Sequence, residues 1–457
     1  MDTATRSAKP PNHDLSHLLS TAAISRKALA ARVNTLSARA GTSTAYTHTS
    51  VGNWLRGMHP RPPAPTLIAA VLAEHLGRPV NPIDIGMGAS DTASTSGGLE
   101  FPRDPDQALA LAASYWSTVD RRTLLNTPFV IGAFTGPALR WLATPTDSAP
   151  PRSKDGRRVG RADLDRLWTA ADQARRADAR HGGGTSMAVL HCLKATTHLL
   201  HGTYSSQAGR ELFTATAELA RIAGWAAVDM GRHAEAQRHL VQGLRLARAA
   251  GDTEAGCYVL STMSLQAYLR GHITEAVDMA EGAYERARHV AAPRVLAFSK
   301  MAAAHAYGRA GDTRAASAAI ATAERLLESI GTPTRDPAWI RYFTIERIAS
   351  DCSEIFRDLG HPKAALRWSL QAAPMPTETR TRSVGLRTAV EATAFLQLRD
   401  LEQGLARADR ALDILGQVTS TRGHDYLRTV NHALRPWSRE PRVAHYLHRA
   451  GTVLART

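Results

Sequence analysis

Four short segments in the second half of the chain repeat one pattern: Gly231-Arg-His-Ala-Glu-Ala236, Gly271-His-Ile-Thr-Glu-Ala276, Gly311-Asp-Thr-Arg-Ala-Ala316 and Gly360-His-Pro-Lys-Ala-Ala365. The glycines lie 40, 40 and 49 residues apart, and a degraded fifth copy follows at Arg399-Asp-Leu-Glu-Gln-Gly404. A glycine with an alanine five residues on, set between two apolar helical stretches, makes a helical hairpin. The glycine accepts the left-handed conformation that ends the first helix. The alanine lets the second helix approach the first closely. One such hairpin cannot bury its own apolar face, so the copies must stack, and a solenoid is expected.

The rest of the composition agrees with packed helices. Aromatics are only 6% of the 457 residues, and no long Val/Ile/Thr alternation reads as strands, so an all-α fold is expected. The length calls for two or three domains. The formal charge is +15, carried by an arginine content far above that of lysine. GC-rich coding accounts for such an excess, and so does a polyanionic partner, for which arginine is the better reader. Cys192, Cys257 and Cys352 are far apart in apolar helical stretches and read as small buried hydrophobes of a reducing cytoplasm. Met1 to Asp14 is polar, without an apolar signal region. The longest apolar run, Phe129 to Leu139, is broken by Gly132, Gly136 and Pro137 and cannot span a bilayer. A cytoplasmic protein with no membrane partner is expected.

Composition shifts divide the chain. Residues 1–14 read as a flexible arm, 15–88 as a compact helical block, 89–104 as a linker, 105–206 as a helical middle region and 207–457 as the repeats with a helical tail. The small polar run Gly88 to Gly98 marks the clearest boundary. Within the middle region, Thr144 to Gly160 is proline- and charge-rich and reads as a mobile loop.

In the block, Leu15, Leu18, Leu19 and Ala22 mark a first amphipathic helix with Asp14 placed to cap it. Ser25 caps a second, with the stripe Leu29, Val33, Leu36 and Ala40. A short third helix runs from about Thr49 to Arg56, with Val51, Trp54 and Leu55 inward and Gly57 as its stop, and a fourth begins near Pro65 or Thr66. Four or five short helices on a basic module is the build of a helix-turn-helix domain. The third helix then reads DNA, with His48, Thr49, Ser50, Asn53 and Arg56 outward and Arg61 near the backbone. Asparagine pairs bidentately with adenine and arginine with guanine. The plainer reading is a solvated face on an ordinary bundle.

When each turn glycine is set at the fifteenth position of a tetratricopeptide repeat, the eighth position falls on Gly224, Ser264, Ala304 and Ser353, and the twentieth on Ala236, Ala276, Ala316 and Ala365. All are small, as that repeat requires. Spacings near 40 exceed its usual 34 residues, which longer helices explain, and a HEAT-like array is the rival. In this register the concave face carries Arg221, Trp225, Asp229, Tyr258, Tyr268, Met301, His305, Arg309, Arg347, Glu354 and Arg357. Of these, Arg221, Trp225, Tyr258, Tyr268, His305, Arg309, Arg347 and Arg357 are the candidate ligand contacts, suited to a peptide or a small anion. Alternatively several of them pack the superhelix.

The segment His48-Thr-Ser-Val-Gly-Asn-Trp-Leu-Arg-Gly57, with Ile83-Asp-Ile-Gly-Met87 after it, resembles the N-terminal domain of actinobacterial XRE-like transcriptional regulators. The segment from Ala223 to His239 resembles the first well-formed repeat in the tetratricopeptide half of that group. The stretch between the second and third helices, including Gly41 to His48, is longer than the tight turn ordinary members have. The resemblance implies a DNA-binding regulator, in which the repeats bind a peptide or small-molecule effector, support a homodimer, or both. Double-stranded DNA is the expected partner. The alternative is an interaction scaffold that does not read DNA sequence.

Catalytic signatures are missing: GxxxxGK[ST], GxSxG, HExxH and paired CxxC do not occur. No enzyme activity and no cofactor are expected. His181-Gly-Gly-Gly-Thr185 reads as a flexible loop between two helices. His191, His198 and His201, near Cys192, lie towards one helical face, but three ligands on one helix rarely close a tetrahedral zinc site. No metal is expected.

Overall fold

The computed structural model describes residues 11–39, 44–58, 60, 63–76, 80, 82, 84–87, 97–118, 128–150, 156–331, 335–372 and 374–455. The remaining residues of the arm, of the Gly88–Gly98 run and of the Gly41–His48 segment lie outside the described residues. The described residues are helical apart from turns, short 3-10 segments and one isolated bridge, Arg158 to Thr203, so the fold is all-α. The chain forms two compact units, Met1–Ser96 and Gly97–Thr457.

The first unit holds α1 (His13–Thr21), α2 (Arg26–Arg39), α3 (His48–Leu55) and α4 (Ala64–Leu76) around one core. Leu15, Leu18, Leu19, Leu29, Val33, Val51, Trp54, Ile68 and Leu72 supply it, the apolar stripes read from the sequence. The first cap differs from expectation. Asn12, not Asp14, accepts the Leu15 N–H at 2.9 Å, while its own amide donates to the Ile85 carbonyl at 2.8 Å and its N–H to Leu55 at 2.9 Å. Asp14 sits in the first turn, where its charge favours the helix dipole. Pro11 to Asp14 therefore belong to the module, and the arm ends before them. Ser25 caps α2 as expected, accepting the Ala28 N–H at 3.2 Å. Asn34 of α2 fixes the approach to α3 by bonding Thr44 and both backbone groups of Tyr46. The Tyr46 ring then meets Trp54 edge-on at 5.1 Å.

The second unit begins with α5 (Pro105–Thr118), α6 (Gly132–Ala143), α7 (Arg161–His181) and α8 (Ser186–Leu200). Five hairpins follow: α9 (Ser206–Asp229) with α10 (His233–Ala250), α11 (Thr253–Leu269) with α12 (Ile273–Ala287), α13 (Pro293–Ala310) with α14 (Thr313–Glu328), α15 (Ile345–Asp358) with α16 (Pro362–Gln371), and α17 (Thr377–Gln397) with α18 (Leu401–Leu415). The helices α19 (Thr421–Leu434) and α20 (Pro441–Leu454) complete the unit.

The turns are built as the repeat pattern requires. Gly231, Gly271, Gly311 and Gly360 have φ of 72°, 80°, 78° and 73°, and in the fifth copy Arg399 adopts 64° without being glycine. Ala236, Ala276, Ala316 and Ala365 are fully buried where the second helix meets the first. Helix length accounts for the spacing of 40, with α10 running to 18 residues and α11 to 17 between Gly231 and Gly271. The spacing of 49 has another cause, the insertion between α14 and α15 that carries a 3-10 turn at Ala338–Ile340.

Two expectations about loops are corrected. Residues 182–185 form one 3-10 turn rather than a loose loop. At Gly183 the Ala226 carbonyl lies only 2.3 Å from where a Cβ would sit, so a side chain is excluded there. In the Thr144–Gly160 stretch, Asp147 is held by Arg245 at 2.7 Å and Arg248 at 3.1 Å, which fixes the start of the segment to α10, while residues 151–155 lie outside the described residues. Near the linker end, Gly97 and Gly98 offer their carbonyls to Arg238 at 3.0 Å and Gln242 at 2.7 Å, also on α10. With α5 and α6 covering it as well, α10 is buried on every side, and Gln237, Arg238, Gln242, Arg245 and Arg248 each donate to backbone carbonyls.

The stack does not stay open. The first helices of the hairpins pack in a row, each against the next, and α17 returns to pack on α7 while α19 packs on α9. The expected concave groove is thus walled on its far side.

Candidate functional site

Two features carry chemistry, one in each unit. In the first unit, Trp54 and Val51 pin α3 to the core and leave its opposite edge to solvent. His48, Thr49 and Arg56 are exposed, and Ser50 and Asn53 half-buried. Arg61 lies outside the described residues. Ser50 has a structural task as well, since its Oγ accepts the Thr47 N–H at 3.1 Å at the start of the helix. Arg56 donates from Nη2 to Asn53 Oδ1. Bidentate pairing with adenine would need that oxygen released, a small cost for an exposed pair. The sequence reading missed Arg26. Its Nη1 lies 4.0 Å from the Cβ position of Gly52, and that of Arg56 lies 3.9 Å from it, so two guanidinium groups flank the middle of α3. Only the packing of α2 on α3 brings them together, so no motif could have signalled it.

In the second unit a cavity of about 440 Å³ lies within the ring of first helices. Arg221, Trp225, Tyr258, Tyr268, His305 and Arg347 line it, as expected from the register, together with Met301 and Glu354. Arg309 and Arg357 do not. Each sits about one turn nearer the hairpin end than its cavity-lining neighbour, and each braces the wall from behind. Arg309 lies over the Tyr268 ring at 5.3 Å, and Arg357 bonds Asp358 at 2.7 Å. Asp229 is also withdrawn from the cavity into a buried cluster.

The far wall was not legible in the repeats. From α7 come Asp172, Arg175, Arg176 and Asp178, from α17 Arg380, Arg382 and Arg387, and from α19 Arg422 and Tyr426. Tyr342 and Phe343 come from the insertion after α14. None of the described residues between 144 and 160 lines the cavity.

Ion pairs close the ring. Arg382 bonds Asp178 at 2.8 Å and Asp229 at 3.1 Å, and Arg422 bonds Asp229 at 3.3 Å. Asp229 is wholly buried and also accepts the Gly183 N–H at 2.9 Å. Burial opposes its ionisation, but Arg382 and Arg422 outweigh that and hold its carboxyl below the usual range. Nearby, Tyr426 and Tyr268 direct their hydroxyls to Glu354 Oε1. Burial again acts against the charge of Glu354, and His305, Arg357 and the Tyr426 hydroxyl overcome it, so this carboxyl too is held low. Burial drives the Tyr258, Tyr268 and Tyr426 phenols well above their ordinary range, so all three stay protonated donors. Tyr258 meets Tyr342 hydroxyl to hydroxyl at 2.8 Å and stacks on Trp339 at 4.9 Å.

His191, His198 and His201 are exposed, and among the described residues no group of three or more His, Cys, Asp or Glu side chains is placed to hold a metal. Among the described residues no helix is long and apolar enough to cross a membrane. Residues 15–88 match a family model described as the SP15 N-terminal domain. No curated protein matches the chain.

Proposed function

We propose that the protein is a DNA-binding transcriptional regulator of the XRE-like kind. The first unit acts as a helix-turn-helix reader, and the second, an array of tetratricopeptide type, receives a small effector. The observation that carries this reading is α3: a short helix anchored by Trp54 that turns Thr49, Asn53 and Arg56 to solvent beside Arg26. Asparagine and arginine read base edges, while Arg26 and Thr49 suit phosphates. A net charge of +15 favours such a partner. One module supplies limited affinity, so a homodimer on paired half-sites completes the proposal.

The test selects genomic DNA fragments bound by the full chain and repeats the measurement with Asn53→Ala/Arg56→Ala. The double variant loses sequence preference yet keeps salt-dependent nonspecific binding. Arg26→Ala weakens binding to all fragments and lowers the salt slope by about 1. If no fragment is enriched by the wild-type chain, the first unit is a docking platform and the scaffold reading takes over.

A further inference from the structure

The cavity's charge balance, lining and volume together narrow what it can hold. Eight arginines line it, which alone would suggest a polyanion. Seven of them already have a carboxylate within 4.0 Å, among them Arg221 on Glu218, Arg347 on Asp351 and Arg382 on Asp178. A multivalent anion would have to pull most of these guanidinium groups away from largely buried acids, Arg176 on the half-exposed Asp172 aside, leaving those acids unpaired. Arg380 is the exception: among the described residues it has no carboxylate partner. It stands at a break in α17, with φ −137° and ψ 37°.

Apolar and aromatic side chains share the lining with these charges, among them Trp225, Leu265, Phe298, Met301 and Tyr342. One further polar atom awaits a partner. His305 Nδ1 is buried without a hydrogen bond among the described residues. A peptide would ask for something else. Its backbone offers a donor and an acceptor at every residue, which side-chain amides match in both senses. No asparagine or glutamine is among the described residues lining the cavity. The volume suits a drug-sized molecule.

We propose that the cavity binds a small amphipathic molecule with an aromatic body and a single negative charge, the charge received by Arg380 and the body held against Trp225. This rests on the reading of the cavity as an effector site. Polyanions are excluded as its natural ligands.

The probe is 8-anilinonaphthalene-1-sulfonate, an aromatic monoanion, titrated into the full chain by fluorescence. Its neutral relative N-phenyl-1-naphthylamine is run beside it. One molecule of the sulfonate binds per chain. Arg380→Ala weakens it about tenfold, the loss of one charge-assisted hydrogen bond, and leaves the neutral dye unchanged. Arg380→Lys restores most of the difference. Trp225→Ala weakens both dyes, and Trp225→Phe, which keeps a ring in place, weakens both less. Millimolar tripolyphosphate displaces neither dye. The proposal is overturned if Arg380→Ala binds the sulfonate as the wild type does, or if tripolyphosphate displaces it. Should neither Trp225 variant alter either dye, the cavity is no site, and the effector reading falls with the proposal. Should the dyes behave as expected while DNA affinity ignores them, the ligand class stands and the effector reading fails alone.

Discussion

Replacing Asp229 by alanine tests whether the ring is held shut by ion pairs between elements far apart in sequence. Asp229 ends α9, is wholly buried, and receives the Gly183 N–H at 2.9 Å, Arg382 at 3.1 Å and Arg422 at 3.3 Å. Removing it leaves a buried amide without a partner, which costs about 1–3 kcal/mol. It also leaves two guanidinium groups short of a counter-charge, and breaking a buried pair costs about 3–5 kcal/mol. Arg382 keeps Asp178 at 2.8 Å and Arg422 keeps its place over the Trp225 ring at 5.1 Å, so the low end applies. A net loss of about 3 kcal/mol follows, a factor of about 150 in the opening equilibrium. Amide hydrogen exchange on the full chain reads it by segment. Protection in α17 and α19 falls by that factor, while α11 to α14, which pack on their own neighbours, change little. A uniform loss along the chain, or a change below about threefold at α17 and α19, would refute the reasoning. Acid acts in the same direction. The folded-state carboxyl is held low, so its contribution is complete above the unfolded value of about 3.9 and is lost as pH falls through the folded one.

Other substitutions test separate parts of the argument. His233 is pushed down to about 4, by burial first and Arg270 second, so the unfolded chain takes its proton earlier. Between pH 6.5 and 4 this drains stability by no more than about 1.4 kcal/mol per unit, and in His233→Asn urea midpoints across that window flatten relative to wild type. Arg399→Gly relieves a left-handed residue at φ 64° and raises the thermal midpoint by the equivalent of about 1 kcal/mol, less whatever Arg399 gains over the Trp437 ring at 5.5 Å. A lowered midpoint would mean that the cation–ring contact outweighs the strain. Gly256→Ala sets a Cβ 2.4 Å from Trp141 Nε1 and lowers stability by about 1–3 kcal/mol in calorimetry. By contrast, Gly52→Ala meets nothing nearer than 3.9 Å in the middle of α3 and stabilises the first unit by about 0.5–1 kcal/mol.

The hairpins were legible because their determinants are local. A left-handed turn needs glycine, a close helix crossing needs alanine, and both recur at fixed offsets in the chain. The same register located six of the eight expected cavity contacts, since position on a helix face follows from periodicity. It misplaced Arg309 and Arg357 because periodicity gives a face but not how deep along the helix the cavity reaches. The far wall depends on α17 returning to α7, a contact between residues about two hundred positions apart, exemplified by Arg382 and Asp178. No periodic signal encodes such a pairing. Asn12 was passed over for Asp14 for a related reason. Both cap well, and what selects Asn12 is its second hydrogen bond, to the Ile85 carbonyl some seventy residues on.

The closed ring sets a bound on how an effector could act. Gly97 and Gly98, where the second unit begins, are bonded to Arg238 and Gln242 of α10, and α10 packs on α9, whose Arg221 and Trp225 face the cavity. The chain running towards the first unit therefore starts from the helix next to the cavity wall, about 10 Å from it across one helix packing distance. A ligand that merely fills the cavity changes nothing there, because only differential affinity for two arrangements shifts a population. To part α9 from α17 and α19 the ligand must work against the Asp229 cluster. With that cluster contributing about 3 kcal/mol, the opened arrangement becomes dominant only for a molecule that binds it more than about 150-fold tighter than the closed one. A ligand that instead bridges Arg380 on α17 and Trp225 on α9 adds to the closure, and for that ligand the bound arrangement is the one described here.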